Sequence, residues 1–329
     1  MANILSKLNL QLFAEMNTNT TLSAGLSAEN KTFYDKTLLI EAQPNLVHDQ
    51  FAQKRPIPKN GGKKIEFRKF ASLPKALTPL TEGVTPDGKN LEVTSLEAEV
   101  AQYGDYVVYS DVLDLTAIDP VVTEAVMVIG NQAGLTLDTI TRNVLQSGKN
   151  VMYCPKADGS EVTTREGLDE TCKLTAKQVK KVAAFLKKVN APKIDGSYVA
   201  IVHPFVAYDL QNDPEWIEAH KYTTPDSIYE GELGKIGGVR FVESSEAKVY
   251  DGGVFGCIFL GANAYGVTEI EGGGLRTIIK QLGSSGVADA LDQRASIGWK
   301  AIKTAEILFD AYLIRVECKS ELSGDVEAN

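Results

Sequence analysis

From residue 120 to 147 apolar positions recur at helical spacing, with Val122, Ala125, Val126, Ile129, Ala133, Leu137, Ile140, Val144 and Leu145 on one stripe. Asp119 is a favourable N-cap, Pro120 suits the first helical position and Gly148 is a natural stop. About 28 residues at 1.5 Å each predict a rod of roughly 42 Å. Gly130 and Gly134 lie inside it and each costs about 1 kcal/mol relative to alanine, so close packing or a bend is expected there.

Upstream, the period shortens to that of strands: KKIEFRKF (63–70), LEVTSLEAEVA (91–101) and YGDYVVYSDVL (103–113). Between the first two, Pro74, Pro79, Gly83, Pro86 and Gly88 punctuate a stretch with little to bury, which predicts a long hairpin with a loose tip. Such a ribbon is only marginally stable alone in water and needs something to lie against. Further upstream, EMNTNTTLSAGLSAENK (15–31) is polar and aperiodic. It reads as an extended arm that no local core could hold, so that a neighbouring copy is expected to order it.

Downstream, Thr175 and Gln178 make a capping-box pattern before TAKQVKKVAAFLKKVN. Val179, Val182, Phe185, Leu186 and Val189 are expected to face a core, and Lys177, Lys180, Lys181, Lys187 and Lys188 to line the solvent side. A nucleic-acid patch is the alternative for that lysine run, but no aromatic residues interleave with it. SYVAIVH (197–203) reads as a buried strand turning at Pro204 into a helix, followed by strands at 238–244, 254–260, 275–282 and 305–318. The last residues, SELSGDVEAN, read as a frayed tail. Helices and strands mix without a βαβ period, which predicts an α+β fold.

Composition narrows the function. With a formal charge of -9, the chain is a poor candidate for whole-surface nucleic-acid binding, although an acidic protein can enclose DNA without gripping it. Cys154, Cys172, Cys257 and Cys318 include no CxxC pair, and His48, His203 and His220 are too distant for zinc spacing. Buried, reduced thiols and no metal or other cofactor are expected. The N-terminus does not read as a secretory signal, and no apolar run approaches the roughly 18 residues that span a bilayer. The P-loop, dinucleotide-binding and nucleophile-elbow patterns are all absent. His203 reads as a strand-to-helix cap and His220 as a helix-end residue. GGGLRT (272–277) and Gly231, Gly234, Gly237 and Gly238 read as turns.

Four blocks taken together, LNLQLFA (8–14), KRPIPKNGGKKIEFRKF (54–70), GELGKIGGVRFVES (231–244) and ALDQRASIGWKAIKTAEILFDAYLIRVEC (290–318), resemble tailed-bacteriophage major capsid proteins, in the branch related to the N4-like phages. The resemblance spans roughly residues 8–318. It implies the α+β tailed-phage and herpesvirus capsid fold: an N-terminal arm (1–53), an extended hairpin loop (54–113), a spine helix and the first part of a peripheral lobe (114–194), an axial lobe (195–290), returning peripheral strands (291–318) and a tail (319–329). It further implies a non-enzymatic virion protein that assembles, in the host bacterial cytoplasm, as hexamers and pentamers of an icosahedral head around double-stranded DNA. No sequence-specific DNA contact and no membrane are implied. A separate scaffolding protein and a portal are the expected partners, because only about 50 residues precede the hairpin. The family's lysine–asparagine crosslink is not assigned. A tail-tube or decoration subunit and an enzyme with an unfamiliar site remain the alternatives.

The hairpin supplies the candidate contact residues, because its halves carry opposite charge. The outgoing half has Lys54, Arg55, Lys59, Lys63, Lys64, Arg68 and Lys69 against a lone Glu66. The returning half has Glu82, Asp87, Glu92, Glu97, Glu99, Asp105, Asp111 and Asp114 against a lone Lys89. Two readings stay open: cross-strand pairing within one hairpin, and contact with an oppositely charged surface on an adjacent subunit.

Overall fold

A computed structural model describes residues 18–19, 47–70, 73–80, 82–85, 87–117, 121–220, 234–270, 273–284 and 289–329. Most of the N-terminal arm, together with Asp119 and Pro120, lies outside these residues. The chain divides into two compact units: Met1–Gln43, Tyr103–Ala133 and Leu275–Ala301 form one, and Pro44–Gln102, Gly134–Gly274 and Ile302–Asn329 the other.

In the order of the chain, the strands begin with β1 (Thr18–Asn19), β2 (Gln53–Lys54), β3 (Lys64–Phe70), β4 (Val93–Glu99) and β5 (Ala101–Ser110). Helices α1 (Asp111–Thr116) and α2 (Val121–Gln146) follow, then β6 (Val151–Tyr153), α3 (Ala176–Lys188), β7 (Tyr198–Val202), α4 (Pro204–Gln211) and α5 (Pro214–His220). The remainder is all strand: β8 (Lys235–Ile236), β9 (Val239–Glu243), β10 (Val249–Tyr250), β11 (Val254–Leu260), β12 (Tyr265–Glu269), β13 (Arg276–Lys280), β14 (Arg294–Ile307) and β15 (Leu313–Cys318).

The larger unit is built on a seven-stranded mixed sheet in the order β6-β15-β11-β7-β9-β8, with β10 also on β11. Its central strands are apolar at every position because both faces are covered. Tyr198, Ala200 and Val202 of β7, with Phe255, Cys257 and Phe259 of β11, pack with Val179, Val182 and Leu186 of α3 and Val206 and Leu210 of α4. Ile201, Ile258 and Leu260, pointing the other way, pack with Leu145 of α2, Tyr265 and Ala305.

The local signals act as their chemistry requires. The Thr175 hydroxyl accepts from the Gln178 N–H at 3.4 Å and caps α3. Gly237 and Gly238, at φ 60° and 87°, make the tight turn between β8 and β9. Several expectations need correction. Phe185 and Val189 are exposed, since the buried stripe of α3 runs instead through Gln178, Val179, Val182, Ala183 and Leu186. The stretch 103–113 is not a strand to its end: Ser110 accepts from Leu113 N–H and starts α1. The stretch 305–318 holds two strands broken by a helical turn at Asp310–Tyr312, and β14 and β12 have no counterpart in the sequence pattern. The C-terminal residues pack rather than fray: Glu321 N–H donates to Asp209 Oδ2 at 3.1 Å, and Val249 N–H donates to Asn329 Oδ1 at 3.0 Å.

Two buried polar networks tie this unit together. His48, 1% exposed, places its backbone N–H 2.8 Å and its ring Nδ1 2.6 Å from the two carboxylate oxygens of Asp138 on α2. Asp49 accepts from Thr141 Oγ1 at 2.6 Å and pairs with the buried Lys303 ammonium. The chain entering from the arm is therefore pinned to the spine helix. In the second network the fully buried Glu317 takes a bidentate fork from Arg165 at 2.7 and 2.6 Å, with Arg315 Nε at 3.0 Å. Arg165 in turn lies over the Tyr250 ring at 3.5 Å.

In the smaller unit, β13 pairs with β14 from Arg276↔Lys300 to Lys280↔Ser296. Gln132 of α2 bridges it, donating to Asp105 Oδ2 at 2.7 Å and accepting from Trp299 Nε1 at 3.3 Å. Backbones approach closely at Gly104 and Gly298, where an added Cβ would lie 2.6 Å from Trp299 O and 2.7 Å from Tyr106 Cβ respectively.

Candidate assembly surface

Strands β3 and β4 form the expected antiparallel hairpin, in register from Lys64↔Glu99 to Phe70↔Val93. Side chains alternate across it. Ile65, Phe67, Leu96 and Ala98 share the covered face, where a Cβ on Gly266 would meet the Phe67 ring at 3.2 Å. The other face, carrying Lys64, Glu66, Arg68, Phe70, Val93, Ser95, Glu97 and Glu99, is exposed. A tight turn leads into the hairpin: Gly61 N–H donates to Pro58 O at 2.9 Å, and Asn60 and Gly62 take φ 69° and 89°.

Between the strands, residues 73–80, 82–85 and 87–92 have no regular structure and are exposed. Leu77 and Leu80 are 82% and 77% exposed, and Phe70, Leu73, Val84, Leu91 and Val93 are at least half exposed. So many large apolar side chains on one ribbon exceed what scattered surface hydrophobics explain, and mark an interaction surface.

The charged candidates are spread along this ribbon rather than gathered into one cluster. Lys54 lies on β2, which pairs with β12; Arg55 follows it, its guanidinium 5.9 Å from the centre of the Phe67 ring. Lys59 and Lys63 are exposed around the turn, and neither has an ion pair among the described residues. Lys64 pairs with Glu97 at 3.3 Å, and Arg68 pairs with Glu66 on its own strand at 3.3 Å. Lys69 stands opposite Thr94 in the register, while Glu82 and Asp87 are exposed in the tip. Glu66 and Glu97 face each other directly, a like-charge pairing that weakens the isolated hairpin. Cross-strand attraction inside the hairpin therefore reduces to the Lys64–Glu97 pair among the described residues, with both partners more than 60% exposed.

Elsewhere, among the described residues, no group of three or more His, Cys, Asp or Glu could hold a metal ion, and no helix is long and apolar enough to cross a membrane. His203, whose pKa burial lowers to about 4, is committed to capping α4: its Nδ1 accepts from Phe205 N–H at 3.2 Å. His220 ends α5. The lysines of α3 are exposed, with Lys180 and Lys181 paired to Glu215 and Glu161 at 2.7 and 3.4 Å, as on a solvated helix face.

Comparison with solved structures decides the fold. The capsid of cyanophage P-SCSP1u superposes with a TM-score of 0.69 at 13% identity, over 90% of this chain and 95% of that one. The chain has the tailed-phage major capsid fold. The capsid of Ralstonia phage GP4 shares this capsid fold over 98% of this chain and 99% of its own, with a TM-score of 0.61 at 13% identity. A holo-encapsulin complex from Synechococcus elongatus shares it more distantly, with a TM-score of 0.51 at 10% identity over 88% and 96%. Within the capsid fold, a protein-family model described as phage capsid protein matches residues 119–275, from the spine helix to the start of β13. No curated protein matches the sequence.

Proposed function

We propose that this chain is the major capsid protein of a tailed phage, a structural protein whose copies assemble as hexamers and pentamers into the icosahedral head around double-stranded DNA. The observation that carries this reading is the exposed apolar ribbon from Phe70 to Val93 in a chain that has the capsid fold and matches a phage capsid family model over its spine helix and sheet. A solitary subunit gains nothing from so many exposed large hydrophobics, whereas a shell covers them. The hairpin is the extended loop of this reading and α2 its spine. The basic outgoing residues Lys54, Arg55, Lys59, Lys63, Lys64, Arg68 and Lys69, with Glu82 and Asp87 of the returning half, are its intersubunit contacts. A separate scaffolding protein, a portal, assembly in the host cytoplasm and kinship with the N4-like branch belong to the same proposal, supported by the four sequence blocks quoted above. The family match to phage capsid protein favours a phage head over an encapsulin shell. Electron microscopy and sedimentation of the purified chain, alone and with its scaffolding protein, test it. Closed shells are expected; tubes, or compact monomers under every condition, would overturn it.

A further inference from the structure

Strand β13 carries a feature that the hairpin does not explain. It hydrogen-bonds on one side only, to β14, so its other edge is open among the described residues. Leu275, Ile278 and Ile279 are 52%, 42% and 49% exposed, and Leu282 just beyond is 39% exposed. An exposed edge with isoleucines on both faces is a template for another strand, and natural proteins seldom leave one unprotected. Its charges decide which strand. Arg276 and Lys280 lie on β13, and the exposed Lys300 stands opposite Arg276 on β14. If two copies paired β13 to β13, these cations would lie side by side, with Arg276 directly opposite Lys280 when the pairing is centred on Ile278. The edge therefore disfavours its own copy and favours an extended strand that is apolar and acidic.

The exposed stretch 87–93 of this chain has that character. It lacks regular structure up to β4 and carries Asp87 and Glu92 against one Lys89, with Leu91 65% and Val93 50% exposed. We propose that the open edge of β13 receives residues 87–93 of a second copy as an added strand, with Leu91 and Val93 against the exposed isoleucines and the two carboxylates beside Lys280 and Lys300. This is strand addition, in which backbone hydrogen bonds supply affinity and side chains select the partner. Because the two surfaces differ, the contact is head to tail and closes into a ring instead of stopping at a dimer. The inference rests on the assembly reading and names its receiving surface.

The test uses full-length chain carrying Ile279→Cys and Leu91→Cys together, oxidised under assembly conditions and run on non-reducing gels. A ladder of multimers is expected, with none from wild type, whose four cysteines are buried. In parallel, Lys280→Glu and Glu92→Lys are each expected to lower the assembled fraction about fivefold per contact, and the double reversal to restore it. Circular dichroism of each variant confirms that the subunit is folded. Shells that form without a ladder would leave the capsid reading standing and overturn this contact. Dimers from Ile279→Cys alone would make the edge self-pairing and overturn it as well, as would single reversals that assemble like wild type.

Discussion

The His203 cap makes subunit stability depend on pH with a sign and size that follow from its surroundings. The ring is 9% exposed, with its centroid 5.0 Å from Phe205 and 4.8 Å from Phe255, and its Nδ1 must remain unprotonated to accept from Phe205 N–H. Burial lowers its pKa from 6.5 to about 4, so between those values the unfolded chain binds the proton that the native chain refuses. Stability is therefore full above pH 6.5 and falls as the pH drops toward 4. Linkage between the two pKa values gives a loss of about 2 kcal/mol from pH 7 to pH 4.5. His203→Asn retains a capping acceptor without the titration. The assay is urea unfolding of unassembled subunits at both pH values, for wild type and variant. Carboxylate titrations are common to both proteins and cancel in the difference. The wild type should lose about 2 kcal/mol more than the variant over this range, and equal losses would refute a neutral, buried cap.

Other consequences can be checked in the same way. Glu317→Gln strips the buried partner from Arg165 and Arg315 and should destabilise the subunit by about 3 kcal/mol in urea; a loss below about 1 kcal/mol would mean that the network is incidental. Gly298→Ala places a Cβ 2.7 Å from Tyr106 Cβ and 2.9 Å from Asp105 O, and should cost about 1–3 kcal/mol in thermal or urea unfolding. The Cys257 thiol is pushed up by its neighbour Cys318, 3.9 Å away, and by burial. A thiol reagent should therefore label no cysteine in the native subunit and all four after denaturation. Reversing Lys59, Lys63 and Lys64 to Glu should leave circular dichroism unchanged and abolish shells; normal assembly with unchanged salt dependence would confine those charges to the hairpin.

What the sequence by itself determined was everything that short-range chemistry controls. The spine helix occupies Val121–Gln146 because an apolar stripe at helical spacing needs no distant partner to be recognised. Thr175 and Pro204 begin helices because capping and a fixed φ are properties of neighbouring residues. The continuous apolar runs 198–202 and 254–260 already signalled a sheet covered on both faces, and the proline- and glycine-marked stretch between β3 and β4 already signalled a hairpin tip. Tertiary structure decided the rest. Strand β14 was hidden because Gly298 and Trp299 interrupt its pattern, and Gly298 makes sense only beside the backbone of Asp105 and Tyr106. The break at Asp310–Tyr312 exists because β14 and β15 serve different sheets. His48 was uninformative in the sequence, since its carboxylate partner is 90 residues away. The open edge of β13 was equally invisible: LRTIIKQL reads as an ordinary strand, and only the pairing of the whole sheet reveals which of its sides is left without a neighbour.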